Sequence, residues 1–213
     1  MITLIDFFRS GTSHRTRIAL HLKGVAFEHK TVDLRTGQHK SPDFLAVNPQ
    51  GLVPALVVDG VVLTQSVAIL EWLEEAFPEP ALLPKEPLAR AHVRALMGVA
   101  ACDIHPLGNM RVLQSLRTDH QQSVEAVAAF GKRWYVFGFE ALEALAARGP
   151  DGGWLRGDAP TLADACCFPQ LYAGVQRYQI PITDYPRLAR AYTSAQTHPA
   201  FIAADPMNQP DAG

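Results

Sequence analysis

Cysteine is scarce in this chain: there are three in 213 residues, two of them adjacent at Cys166-Cys167, and no Cys-x-x-Cys pair occurs. An odd, clustered set builds no disulfide framework, and without a Cys-x-x-Cys pair dithiol redox chemistry is disfavoured. A reducing compartment fits this usage. An excess of one charge is missing too: 19 Lys+Arg stand against 21 Asp+Glu, with no run of like sign. Neither nucleic acid nor an anionic membrane is therefore expected as a partner, although a local anion site is compatible with this balance. No apolar stretch has spanning length, and the opening MITLIDFFRSGTSHR carries neither a basic leader region nor a small-residue cleavage site, so the cytoplasm is the expected location. Gly-x-Gly-x-x-Gly, a P-loop and a Gly-x-Ser-x-Gly elbow are absent, which leaves no signal for a nucleotide site or that class of hydrolase.

What is present is a 48% hydrophobic chain, long enough for one large or two small domains. The first part is mixed. Ile2–Phe8 suits a buried strand, Ser13–Lys23 a helix closed by Gly24, Phe27–Asp33 a second strand and Asp43–Val47 a helical turn stopped at Asn48-Pro49. Leu52–Val58 and Val61–Thr64 flank Asp59-Gly60, a strong hairpin turn, and Ser66 is placed to cap a helix running to Ala76. Pro78, Pro80, Pro84 and Pro87 then mark a linker, beyond which everything reads as helical. Leu88–Leu116 and Ser123–Ala147 form long Ala/Leu/Glu/Arg-rich stretches. Thr161-Leu-Ala-Asp164 has the form of a capping box, and Tyr185-Pro186 opens a last helix to about Thr197, with 205–213 expected to be loose. The boundaries that follow are 1–78, a linker over 79–87, and a helical domain over 88–213. Cys102, Cys166 and Cys167 read as small core residues.

Phe8-Arg9-Ser10-Gly11-Thr12-Ser13-His14-Arg15, followed by Arg17-Ile18-Ala19-Leu20 and Lys23-Gly24, is similar to the Arg-Ser-Ser-Cys-x-x-Arg signature of zeta-class glutathione transferases. Asn48-Pro49, Val53-Pro54, Gln65-Ser66-x-Ala68-Ile69, Ile104-His105-Pro106-Leu107-x-Asn109, Thr161-x-Ala163-Asp164 and Pro169-Gln170 extend the resemblance in order along nearly the whole chain. Within the class, the Arg-Ser-Gly-Thr-Ser-His-Arg stretch and His105-Pro106 resemble the bacterial maleylpyruvate isomerases more than the maleylacetoacetate isomerases. The fold implied is α/β plus all-α: an N-terminal thioredoxin-like domain carrying glutathione, then a helical C-terminal domain completing the pocket for the second substrate. A homodimer is implied as well.

The resemblance implies glutathione-dependent cis–trans isomerisation of a small dicarboxylate. A bound thiolate adds to the substrate double bond, the former double bond rotates, and elimination returns the thiolate. Ser10 matches the family serine, Gly11 removes a second hydroxyl, and Thr12 stands where the family has cysteine; either Ser10 or Thr12 can supply the hydroxyl that holds the thiolate. A loop that opens a helix favours a thiolate on its own account, because the helix end is positive. Without the resemblance, Ser10 to Ser13 would read as an ordinary helix cap. Val53 and Pro54 are implied to form a cis peptide that offers backbone groups to glutathione, and Gln65 and Ser66 to receive its γ-glutamyl carboxylate at a helix N-terminus. His39, Asn109 and His105 complete the cofactor set, with a solvated loop histidine the plainer reading of His39. His105, where the maleylacetoacetate branch has glutamine, suits orientation or acid/base work; the alternative is a buried, hydrogen-bonded histidine beside Pro106.

A dianionic substrate needs cations that grip carboxylates, and Arg9, Arg111 and Arg177 are the candidates, each weighed against an ordinary surface arginine. At Arg111 the sequence has Met110-Arg111 where related enzymes carry two arginines. Asp103 and His105 are poorly spaced to share a metal, and none is expected. Two other classes remain open. A general transferase would keep its adduct and need an apolar second site, while a non-catalytic glutathione-binding protein would need no thiolate hydroxyl.

Overall fold

The computed structural model describes residues 1–212 and divides the chain into two compact units, one of Met1–Leu82 together with the chain from Thr197 onward, the other of Leu83–Gln196. The first unit contains β1 (Ile2–Asp6), α1 (Gly11–Leu22), β2 (Glu28–Thr31), α2 (Pro42–Val47), β3 (Ala55–Val58), β4 (Val61–Thr64) and α3 (Ser66–Ala76). Its sheet runs β2-β1-β3-β4, with β1 parallel to β2 and the remaining pairs antiparallel. That order follows from the connections: α1 is the crossover a parallel pair requires, whereas β3 and β4 meet through a two-residue turn. Asp59 and Gly60 both take positive φ (48° and 86°), the geometry an Asp-Gly hairpin turn supplies. The core is Leu4, Ile18, Leu20, Leu56, Ile69, Leu70 and Leu73, all sealed from solvent.

Two expectations for this unit are corrected. Ser66 is not the cap of α3 but its first residue; Gln65 occupies the cap position at φ 66° and its side chain turns away from the helix amides. The C-terminal stretch is ordered through residue 212. Arg17 Nε donates to Ala204 O at 3.1 Å, Phe8 N to Asp211 Oδ2 at 3.1 Å, and Ala212 packs against the cluster of Ile5, Phe7, Phe8 and Val53. Side-chain bonds to backbone carbonyls, such as Gln209 Nε2 to Asp205 O, tie this tail down, and hydrophobic periodicity does not register them.

The second unit contains α4 (Pro87–Gly98), a π-helical stretch at Val99–Ile104, α5 (His105–Gly108), α6 (Met110–Thr118), α7 (Val124–Ala147), α8 (Leu162–Tyr178) and α9 (Pro186–Thr197). A further helix, Pro199–Ala204, returns to the first unit and packs on α1, so α9 is not the last. The segment expected to be one helix over 88–116 is broken. Pro106 has no N–H for the carbonyl four residues back, and the chain answers by widening its turn, with His105 N bonded to Ala100 O. Asn109 then takes extended geometry and caps α6 through Arg111 N. The wider turn also carries Cys102 to the surface, against its reading as a core residue; Cys166 and Cys167 are fully buried against α4, their thiols directed at Met97 O and Leu96 O.

Helix α8 is buried on nearly every side. Its start is held by the capping box: Thr161 N and Oγ1 donate to Asp164 Oδ2 at 2.8 and 2.9 Å, and Asp164 Oδ1 also accepts from Leu155 N at 2.9 Å. Burial lifts the Asp164 carboxyl to about 6 while these three bonds pull the other way, so it is ionised at neutral pH. Asp164→Ala strands Leu155 N and Thr161 N inside the unit. It is expected to cost about 2 kcal/mol by denaturant unfolding, and a loss of only a few tenths would show that the box carries little weight.

Candidate active site

The start of α1 presents a hydroxyl to the chain preceding β3. Ser10 caps α1, its Oγ accepting from Ser13 N at 3.3 Å, and it lies 2.8 Å from Thr12 Oγ1. Thr12 Oγ1 donates to Val53 O at 2.9 Å. A hydroxyl has one proton, so with Thr12 committed to Val53 the bond between the two hydroxyls is donated by Ser10. The first turn of α1 carries no acidic side chain, leaving the positive helix end available to an anion.

Val53 precedes a cis bond to Pro54, as the resemblance implies, and lies just ahead of β3 rather than within it. Its carbonyl retains a second lone pair, and the loop is shaped by Asn48, nearly sealed from solvent, whose Nδ2 donates to Leu52 O at 2.6 Å and whose Oδ1 accepts from Gln50 N at 3.1 Å. Gly51, at φ 62°, closes this loop against the backbone of His39, where a Cβ would stand 3.1 Å from His39 O. His39 is half-buried in the turn Gln38–Lys40; its Nδ1 has no hydrogen-bond partner, and burial, helped by Lys40, keeps its ring less basic than usual.

At α3 no side chain caps the first amides. Ser66 is buried there, and Gln65 is held at its left-handed φ with Nε2 donating to Gln50 Oε1 at 2.6 Å. A non-glycine residue in that conformation costs roughly 1–3 kcal/mol. Gln50, which the sequence reading passed over, is the partner that holds Gln65.

In the helical unit, His105 opens α5 and meets two amides: Gln170 Nε2 lies 3.4 Å from its Nδ1, and Asn109 Nδ2 lies 3.3 Å from its Nε2. Gln170 is buried and accepts from Tyr135 Oη at 2.9 Å. Tyr135 was not singled out in the sequence, and Gln170 only as a landmark; neither has a distinctive local signal, because their roles arise from α7 and α8 lying side by side.

Arg9, Arg111 and Arg177 are exposed, and among the described residues none pairs with a carboxylate. Arg9 lies over the Phe8 ring at 5.0 Å and Arg177 over Tyr178 at 5.1 Å. The structure thus joins Ser10, Thr12 and Val53 in one chain of bonds, Gln65 with the start of α3, and His105 with Asn109, while the arginines stand as uncommitted cations.

The model for the glutathione S-transferase N-terminal domain matches residues 9–76. Among curated proteins, a maleylpyruvate isomerase from Ralstonia sp. is 46% identical over 98% of this chain and 99% of its own length. A maleylacetoacetate isomerase from Pseudomonas aeruginosa is also 46% identical, over 98% of this chain and 97% of its length. Among solved structures, a holo maleylpyruvate isomerase, described as a bacterial glutathione S-transferase of the zeta class, matches with a TM-score of 0.95 at 45% identity, covering 99% of this chain and 100% of that one. A maleylacetoacetate isomerase from Methylobacterium extorquens AM1, with malonate and glutathione bound, matches with a TM-score of 0.93 at 39% identity over 99% of each chain.

Proposed function

The chain belongs to the zeta-class glutathione S-transferases, and from that premise we propose that it is a glutathione-dependent cis–trans isomerase converting maleylpyruvate to fumarylpyruvate. The observation that carries this reading is the bond chain from Ser10 through Thr12 to Val53 at the start of α1. The residues fit glutathione: an uncapped helix start at Ser66 suits a carboxylate, the Val53 backbone suits a peptide, and a hydroxyl cluster at a positive helix end suits a sulfur anion. When bound, glutathione supplies a thiolate whose reversible addition turns the cis double bond into a single bond free to rotate.

The chain's own part is to hold that anion and to stabilise charge as it develops on the substrate. The Ser10 hydroxyl turns from Thr12 toward the sulfur, exchanging a neutral hydrogen bond for a charge-assisted one. Arg9, beside the thiol loop, suits a substrate carboxylate; for Arg177, His105 and Asn109 the family resemblance is what supports roles toward the substrate and glutathione. Malonate in the Methylobacterium relative supports a dicarboxylate as the second ligand.

Maleylacetoacetate is the runner-up substrate, favoured by the equal identity of the Pseudomonas relative. Loss of maleylpyruvate, followed by ultraviolet absorbance with and without glutathione beside maleylacetoacetate and an aryl halide, tests the reading. Fast glutathione-dependent loss supports the isomerase and kcat/KM ranks the keto acids; reaction of the aryl halide alone would replace isomerisation by conjugation. Arg9→Ala and Arg177→Ala are each expected to raise KM for the dianion roughly tenfold or more and to leave the neutral aryl halide much less affected. Equal effects on both substrates would remove the arginines from carboxylate binding. A homodimer in the cytoplasm completes the proposal; Val61 and Val62, exposed on the edge strand β4, suit a self-association surface that sedimentation would detect.

A further inference from the structure

Two primary amides face the two ring nitrogens of His105, and in each the oxygen is already engaged. Asn109 Oδ1 accepts the backbone N–H of Arg111 at 2.9 Å, closing the start of α6, so the atom it turns to His105 Nε2 is its NH2. Gln170 Oε1 accepts the Tyr135 phenol at 2.9 Å, so the atom it turns to Nδ1 is likewise its NH2. Both sides of the ring therefore meet N–H donors. A neutral imidazole can accept at one nitrogen; an imidazolium can accept at none and would set N–H against N–H on both sides.

The placement of these groups is built in. Gln170 is 1% and Tyr135 5% exposed. The Tyr135 ring fits where Gly108 has no side chain, a Cβ there coming within 2.6 Å of Tyr135 Cε2, and it packs against the rings of Tyr178 and Phe139, 4.7 and 6.4 Å away between centroids. Charged and titratable groups carried by the surrounding elements include Asp103 two residues ahead of His105, Arg111 and Arg117 on α6, Lys132, Arg133, Tyr135 and Glu140 on α7, and Asp164, Arg177 and Tyr178 on α8. Asp103, Arg111, Lys132, Arg133, Glu140 and Arg177 are exposed, and the buried Asp164 is engaged by Leu155 N and Thr161 at the start of α8.

We propose that Tyr135 and Gln170 are positioning residues that keep His105 neutral, so that it orients the reactants as an uncharged imidazole and the arginines alone supply positive charge to the substrate. The second half of this rests on the isomerase reading; the first half does not. Tyr135 commits the Gln170 oxygen, and that commitment decides which atom of the amide His105 meets. Removing the phenol frees the amide to turn over and offer Oε1 to a ring N–H, which favours the protonated ring.

The test is histidine-labelled NMR of the full-length protein across pH, with the His105 signal assigned by its loss in His105→Gln, alongside the pH profile of isomerisation. The wild-type ring is expected to resist protonation below the usual histidine range near 6.5. Tyr135→Phe should raise its proton affinity about tenfold, and Gln170→Glu, which sets a carboxylate at Nδ1, by more. The activity profiles of both variants should gain an acidic limb that the wild type lacks. Gly108→Ala, whose Cβ would press on the Tyr135 ring and stand 3.3 Å from its hydroxyl, should move the titration in the same direction. A wild-type ring that titrates in the ordinary range, or variants that fold and leave its titration unmoved, overturns the proposal. If the titrations behave as expected while no isomerisation is found, the relay stands and the isomerase reading falls.

Discussion

Ser10→Ala is expected to lower kcat/KM for glutathione-dependent isomerisation by about 10²–10³-fold, the magnitude seen when a donor to a reacting anion is deleted. Thr12→Val should lower it by far less. The difference comes from counting protons. Thr12 spends its proton on Val53 O at 2.9 Å, so the Ser10–Thr12 contact at 2.8 Å uses the proton of Ser10. An arriving thiolate therefore finds one hydroxyl whose proton can swing to it for the loss of a neutral hydrogen bond, and a second whose proton already holds the backbone before cis-Pro54. Losing Thr12 should loosen that backbone and show mainly as a higher KM for glutathione. Ser10 also caps α1, and loss of a cap alone costs about 1 kcal/mol. Ser10→Asn separates the two roles, because asparagine caps as well as serine but has no hydroxyl. Activity that stays low in Ser10→Asn assigns the effect to the hydroxyl; recovery there, or a larger loss in Thr12→Val, reverses the assignment. Ultraviolet absorbance of bound thiolate gives the same answer without substrate, since the thiol returns toward its free value of about 8.5 when its donor is lost.

The same chemistry explains what could be read in advance. Elements with a local cause were legible: Asp59-Gly60 forces a hairpin, Thr161 with Asp164 forces a helix start, and the thiol-side motif keeps its residues within one short stretch. Features set by a partner distant in sequence were not. Gln65 carries no sign in the sequence of its positive-φ backbone or of its bond to Gln50, fifteen residues away. The break after Gly98 reflects Pro106 acting backwards through the helix ladder together with Gly138, whose bare backbone makes room for Ile104. Tyr135 looks like any apolar-face aromatic of α7 until α8 brings Gln170 against it. Hydrophobic period reports which face is buried; it does not report which buried atoms face one another.

The least legible feature is the one expected to dominate stability in the first unit. Asp6 and Arg17 are both sealed from solvent, with Arg17 Nη1 2.5 Å from Asp6 Oδ2. Arg17 also donates to Phe8 O at 2.9 Å and to Ala204 O at 3.1 Å, while His29 Nε2 bonds the other oxygen of Asp6. One cation thus joins the end of β1, the loop that leads to Ser10 and the returning C-terminal helix. Asp6→Asn leaves that cation buried without its counter-charge and is expected to cost about 3–5 kcal/mol, or roughly 10 °C in Tm for a chain of this size. Replacing both partners by apolar residues of similar volume should cost much less, since no charge is then stranded. His29 adds a pH dependence whose sign is fixed by its bond to Asp6, which raises its basicity above the usual value despite partial burial. Because the folded chain holds this proton more tightly than the unfolded one, the stabilisation is fully present below the ordinary histidine range near 6.5 and fades as pH rises through the elevated folded-state value. His29→Gln should therefore destabilise the protein in denaturant titrations at pH about 6 and much less at pH about 9, well above that ordinary range. An equal loss at both pH values would mean that His29 acts by packing alone and that the charge of Asp6 is met by Arg17.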